Sequence, residues 1–174
     1  MFFVFLTLSP SYLLILLSSH PLTLWFLMKA VVQRVKSASV EVDGKIVGQI
    51  GRGLLVLLGI GRGDTGEDIM WMVEKIVNLR IFEKEDGKFD ESLLDIRGEL
   101  LVVSQFTLYG DASKGRRPSF SDAMGTKEAR ELFEVFVEKA REKIEKVETG
   151  IFQASMDVHL VNEGPVTLIV DSRK

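Results

Sequence analysis

From residue 30 to residue 35, apolar and polar positions alternate, as in a strand with one buried face, and Arg34 shares the face of Ala30 and Val32. Residues 37–42 read as a second strand. Asp43-Gly44 is a two-residue turn that accepts positive φ, so it predicts a hairpin into residues 45–50. Gly51-Arg52-Gly53 breaks the pattern. The unbroken apolar run at 54–60 is then expected as a central strand buried on both faces. Ile69, Met72, Val73 and Ile76 recur at helical spacing, after a capping box formed by Asp64 with Glu67 or by Thr65 with Asp68. Trp71 falls off that stripe and either packs on the sheet or faces an interface. Strand character returns at 79–82. Residues 83–97 are polar and turn at Asp86-Gly87, as a solvated loop or hairpin does. A long amphipathic helix is expected over 126–147, burying Ala129, Leu132, Phe133, Phe136, Ala140, Ile144 and Val147, with Gly150 as its C-cap. The last strands, 151–161 and 166–170, are joined through Asn162-Glu163-Gly164-Pro165. Roughly seven or eight strands and two amphipathic helices, with hairpins dominant, predict an α+β fold with a mainly antiparallel, barrel-like β-sheet.

Residues 1–27 stand apart as an uncharged hydrophobic leader, holding none of the Asp, Glu, Lys or Arg residues. They lack the positive n-region of a secretory signal. Pro10, Pro21 and Ser18-Ser19-His20 interrupt their apolar runs short of the about 20 successive residues a membrane span needs. Three readings stay open: an artefact of an upstream start codon, a membrane-associated leader, or a packed part of the fold. Residues 28–174 are expected as one domain large enough for its own core, with no membrane contact.

Composition narrows the chemistry. A formal charge of −3 gives no global basic field, although a local patch is enough to meet nucleic acid. The absence of cysteine excludes a thiolate nucleophile, a disulfide framework and Cys-ligated zinc, and fits a reducing cytosol. His20 and His159 are the only histidines, so a zinc site built on several histidines is excluded and a Ser-His pair inside the domain could use only His159. Gly59-Ile60-Gly61-Arg62-Gly63 lacks both the Lys-Ser/Thr ending of a phosphate loop and the dinucleotide spacing, and reads as a flexible strand exit. Glu83, Glu85, Asp86 and Asp90 lack the spacing of a calcium loop. No metal and no cofactor is expected.

The informative stretch is GELLVVSQFTLYGD, residues 98–111. It begins as a buried strand and then places Ser104, Gln105 and Thr107 where a core strand would continue with Val or Leu. If the strand ran on, Ser104 and Phe106 would share one face, and Gln105 and Thr107 the other. Buried hydroxyls and amides are costly without partners, and such breaks often mark functional sites. The plain alternative is a strand that reaches solvent. The loop DASKGRRPSF, residues 111–120, offers Lys114, Arg116 and Arg117 to phosphates if it is not simply solvated.

SQFT at 104–107, NEGPVT at 162–167 and the start MKAVVQRV at Met28 together resemble the D-aminoacyl-tRNA deacylase family, over residues 28–174. That family-like start favours the start-codon reading of the leader. The resemblance implies a cytoplasmic homodimeric enzyme, with active sites at the interface, that hydrolyses the ester of D-aminoacyl-tRNA and also glycyl-tRNA mischarged on tRNA(Ala). Ser104, Gln105, Phe106 and Thr107 would be catalytic, with the Phe106 N–H as oxyanion donor. Thr107 would be a nucleophile or, as favoured because no base stands beside it, an orienting group. The substrate's own ribose 2′-hydroxyl would help to activate water. A cis Gly164-Pro165 would reach into the partner's pocket and exclude L side chains. Asn162 and Thr167 would brace it, Val166 would join them in binding substrate, and Arg34 would support the partner's Gly-Pro. Phe106 and Phe120 would pack near the terminal adenine, and Met156 would line the pocket unless it is a core residue. The intact SQFT separates this chain from a related deacylase group that replaces the motif. A binding module without turnover and a small-molecule esterase using Thr107 are the competing readings.

Overall fold

The computed structural model describes residues 28–84 and 87–172. The readings of residues 1–27 lie outside the described residues. The elements are β1 (Lys29–Val42), β2 (Lys45–Ile50), β3 (Gly53–Gly59), α1 (Gly66–Val77), β4 (Phe82–Glu83), β5 (Phe89–Glu91), β6 (Glu99–Ser104), a 3₁₀ turn (Phe106–Tyr109), α2 (Thr126–Arg141), β7 (Val147–Thr149) and β8 (Asp157–Asp171).

The main sheet runs β2-β1-β3-β6-β7, with β8 on the other side of β1. β1 is antiparallel to β2, β3 and β8, whereas β3–β6 and β6–β7 are parallel. The sheet is therefore mixed, which corrects the mainly antiparallel expectation. α1 lies between β3 and β6 in the chain, and α2 between β6 and β7. A connection that carries a helix returns the chain to its starting end and makes the next strand parallel. The sheet curls almost closed where β2 meets β7. A Cβ on Gly48 would stand 2.5 Å from the Thr149 carbonyl, so only glycine lets the two strands approach there.

β3 and β6 are buried on both faces, as the run at 54–60 predicts. Leu54, Val56, Leu58, Leu100 and Val102 pack against Ile69, Met72, Val73 and Ile76 of α1 and Phe133, Phe136, Val137 and Ala140 of α2. Leu55, Leu101 and Val103 face the other way and fill the curled sheet with Val35, Val40 and Ile50. The hairpin turn has positive φ at both Asp43 (50°) and Gly44 (74°). Of the two possible capping boxes Thr65 with Asp68 forms, the Asp68 carboxylate accepting the Thr65 N–H at 2.9 Å.

Other boundaries move. The two strands expected at 30–35 and 37–42 are one. Strand character near 79–82 amounts to Phe82–Glu83, which forms a small antiparallel ribbon with β5. Trp71 is exposed. α2 stops at Arg141 rather than 147, and Gly150 follows β7 instead of capping the helix. Ile144 and Val147 are buried nonetheless. Their spacing correctly predicts burial, which the turn after α2 and the start of β7 supply in place of helix.

Candidate active site

β6 ends at Ser104, and the chain does not continue as an alternating strand. The Gln105 N–H makes one more bond to its neighbour β3, donating to the Leu58 carbonyl at 2.8 Å. The backbone then turns. The Leu108 N–H donates to the Gln105 carbonyl at 3.4 Å and the Gly110 N–H to the Thr107 carbonyl at 3.0 Å. N–H groups at the start of such a turn precede its first internal bond, so those of Phe106 and Thr107 have no acceptor within it. Two groups pin the turn. Tyr109 is buried and its hydroxyl donates to the Gly59 carbonyl at 3.3 Å. Burial, helped by the negative charge of Asp64, holds that phenol far above its ordinary pKa, so it stays a neutral donor. The Gln105 amide hydrogen-bonds the Thr107 hydroxyl.

This strand end opens on a cavity of about 630 Å³ lined by Leu58 of β3 and Ile60 just beyond it, Ser104, Gln105 and Phe106, Phe120 and Met124, Thr126 and Ala129 at the start of α2, Phe152, Gln153 and Met156 of the loop before β8, and Val158 of β8. None of the residues lining it carries an ionisable side chain. Phe106, 59% exposed, meets Phe120 edge-to-face at 5.2 Å on the rim. Met156 answers to both of its readings: it lines the cavity and packs against the inner core. Thr107 is not part of the lining, and its hydroxyl is occupied by Gln105. His159 stands outside the cavity, exposed and 3.9 Å from Glu41. Lys114, Arg116 and Arg117 are exposed on the loop between the 3₁₀ turn and Phe120, which is closed by paired backbone bonds between Asp111 and Ser119 at 2.8 and 2.9 Å. Among the described residues no group of three or more His, Cys, Asp or Glu residues is placed to hold a metal ion.

The second motif lies elsewhere. Residues 162–167 are part of β8, not a turn between two strands. The register with β1 passes from Gln33↔Thr167 to Val35↔Asn162, so Glu163 to Val166 bulge out opposite Arg34. The Gly164–Pro165 peptide is cis and Gly164 has φ +119°. The Asn162 side chain spans the bulge, accepting the Val166 N–H at 2.9 Å and donating to the Thr167 hydroxyl at 2.9 Å. Thr167 also accepts from the Gln33 amide at 3.3 Å. Val166 turns its side chain into the core, while Gly164 and Pro165 are exposed. Arg34, only 4% exposed, donates from Nε to the Glu163 carbonyl at 3.2 Å. Arg34 thus holds the loop of its own chain, where the resemblance implies a contact with a partner's. None of residues 162–167 lines the cavity.

A profile of the family described as D-Tyr-tRNA(Tyr) deacylase matches residues 31–171 and takes in both motifs. The chain belongs to this family. Relatives agree over almost their whole length. The D-aminoacyl-tRNA deacylase of Aquifex aeolicus (strain VF5) is 63% identical over 147 residues, which are 84% of this chain and 99% of the relative. That of Clostridium tetani (strain Massachusetts / E88) is 59% identical over the same shares. A solved structure described as the c-Myc DNA Unwinding Element Binding Protein superposes with a TM-score of 0.78 at 47% identity, covering 82% of this chain and 97% of that one. A probable eukaryotic D-amino acid tRNA deacylase has a TM-score of 0.74 at 20% identity, covering 83% and 99%, and carries the same fold. Deacylation is ester hydrolysis, so membership of the deacylase family makes the chain a hydrolase.

Sequence reasoning missed Tyr109, Thr126, Ala129, Phe152 and Gln153. Helix-start and loop residues of ordinary type carry no signal of their own. Tyr109 alone offered one, as an aromatic five residues beyond a strand that had already broken its pattern.

Proposed function

We propose that the chain hydrolyses the ester of D-aminoacyl-tRNA, and of glycyl-tRNA mischarged on tRNA(Ala), releasing the amino acid and free tRNA. The observation that carries this reading is the cavity itself. It is large enough for an aminoacylated adenosine terminus, rimmed by Phe106 and Phe120, bounded by the N–H groups that open the 3₁₀ turn, and free of ionisable side chains. Chemistry without a protein acid or base has to rest on fixed donors and on the substrate's own groups. The Phe106 N–H stabilises the tetrahedral oxyanion, a contribution of about 2.7–4 kcal/mol when one such donor is removed from other hydrolases. The ribose 2′-hydroxyl assists the attacking water. Thr107 orients the strand end through Gln105 rather than attacking. Lys114, Arg116 and Arg117 meet backbone phosphates, and the enzyme acts in the cytoplasm.

Two copies of the chain form the working enzyme, with Gly164-Pro165 of one closing the cavity of the other and rejecting L side chains. Two features support this. The loop is rigidly held yet lies away from its own cavity. The strand that carries it pairs only with β1 among the described residues and exposes Leu160, Val161 and Ile169, the last by 76%, as a surface covered in a dimer would. Deacylation of matched D- and L-tyrosyl-tRNA, read beside sedimentation, tests both points. The expected outcome is cleavage of the D ester alone by a dimer. Equal cleavage of both esters, or a fully active monomer, would overturn the shared filter.

A further inference from the structure

Arg34 is the one buried cation among the described residues, and the Glu163 carbonyl is only one of its contacts. Nη1 donates to the Ile81 carbonyl at 2.6 Å and Nη2 to the Glu83 carboxylate at 3.1 Å. The Phe89 ring covers the guanidinium, with its centroid 5.1 Å from Cζ. A guanidinium is planar and its donors point in fixed directions. Once Nη1, Nη2 and one face are fixed by Ile81, Glu83 and Phe89, Nε has a single direction left, towards Glu163. The same group lies against the Gly164 backbone, since a Cβ there would stand 3.0 Å from Nη2. Glu163 adds a looser tie, with Oε2 3.7 Å from Arg34 Nε and 4.0 Å from Arg52 Nε. The β1–β8 ladder is interrupted at this bulge, so these side-chain contacts and Asn162 take its place in holding the loop.

Phe89 is 52% exposed, an unusual place for a large ring that serves no core. Neither Phe89 nor Glu83 lines the cavity. We infer that Glu83 and Phe89, both on the β4–β5 ribbon, are positioning residues for stereoselectivity: they aim Arg34, and Arg34 sets where Gly164-Pro165 stands. The inference rests on the proposed role of Gly164-Pro165 as the filter. A steric filter discriminates by distance, so a loop that can retreat admits an L side chain before it loses the D substrate.

The test compares kcat/KM on D- and L-tyrosyl-tRNA for the full chain, Phe89→Ala, Glu83→Ala, and the conservative Phe89→Tyr and Glu83→Gln. The thermal midpoint of each is measured in parallel. Expected is a fall in the D-over-L ratio by roughly three- to thirtyfold in Phe89→Ala, produced by a rising L rate, with the ratio restored in Phe89→Tyr. Glu83→Gln, which keeps an acceptor, should lie between Glu83→Ala and the unchanged chain. If D and L rates fall together with the thermal midpoint, or the ratio does not move, the ribbon is merely structural and the inference fails. If the unchanged chain cleaves neither ester, or both equally, the filter reading beneath it fails, an outcome visible before any variant is made.

Discussion

The strand end at 104–109 and the bulge at 162–167 are both departures from regular strand, but they are held by opposite means. The first is fixed through the main chain. Its N–H at Gln105 still reaches β3, its 3₁₀ turn closes on itself, and a buried phenol ties it to Gly59. The second interrupts its ladder and is fixed by the side chains of Asn162 and Arg34. The first lines the cavity, while no residue of the second does. A donor for an oxyanion gains from placement deep in a rigid sheet, where backbone geometry leaves little freedom. In the proposed function the loop is a wedge for a partner's surface, which has to stand clear of the sheet that bears it and take its stiffness from outside the ladder. The two demands, precision inward and reach outward, account for the two constructions.

The sharpest way to break this contrast is Gly164→Ala. A Cβ at that position would lie 2.8 Å from Val166 Cγ2 and 3.0 Å from Arg34 Nη2, on a backbone with φ +119°. The bulge must shift, and deacylation of D-tyrosyl-tRNA should fall on the order of 10²-fold, as for other displacements of about 1 Å. Urea unfolding should show a loss of about 1–3 kcal/mol, the usual scale of such backbone strain. Tyr109→Phe tests the other region more gently. It removes the hydroxyl that donates to the Gly59 carbonyl and also meets the Lys29 backbone, and should cost about 1–2 kcal/mol in the same unfolding experiment. Turnover should change little, because the Gln105–Leu58 bond still fixes the strand end. The smallest effect concerns neither region. Glu99 accepts the Gly51 N–H at 2.6 Å and pairs with Lys146 at 2.9 Å, and these contacts hold its carboxyl below the ordinary glutamate value of 4.5. A depressed carboxylate stabilises the fold above its unfolded pKa, and that contribution disappears as pH falls through the folded one. Unfolding free energy should therefore begin to decline below about pH 4.5, and Glu99→Gln should flatten the decline.

Local chemistry explains which parts of the fold were legible in the sequence. Asp43-Gly44 and the Thr65–Asp68 box are decided by neighbours in the chain, and both form as their residue types require. The run at 54–60 announces burial on two faces, and β3 has it. The parallel pairings were not legible, because hairpin turns draw the eye while a helix between two strands sets their direction. The polarity of Ser104 to Thr107 marks a site, but alternation carried on to Thr107 runs three residues past the strand end at Ser104, where the chain folds into a 3₁₀ turn. Asn162 to Pro165 carry turn residues, and nothing in residue type separates a turn between two strands from a bulge within one. Alternation puts Arg34 on the buried face with Ala30 and Val32, but only the resemblance links it to Gly164-Pro165. What holds Arg34, Glu83 and Phe89 on the β4–β5 ribbon and Ile81 just before it, lies some fifty residues away.

β8 lies along nearly the whole of β1, and at its far end the Ser172 N–H donates to the Met28 carbonyl at 2.9 Å while the Met28 N–H donates to the Ser172 hydroxyl at 3.2 Å. These partners are 144 positions apart. On a ribosome β1 emerges long before β8 and must wait, one edge unpaired, until β8 is made. Loops of that length close late and at an entropic cost, and an open edge is a template for the wrong neighbour in the meantime. Arg34 can meet Glu163 only when that strand docks. The nascent domain can therefore form the strand end at Ser104 while the bulge at 162–167 does not yet exist.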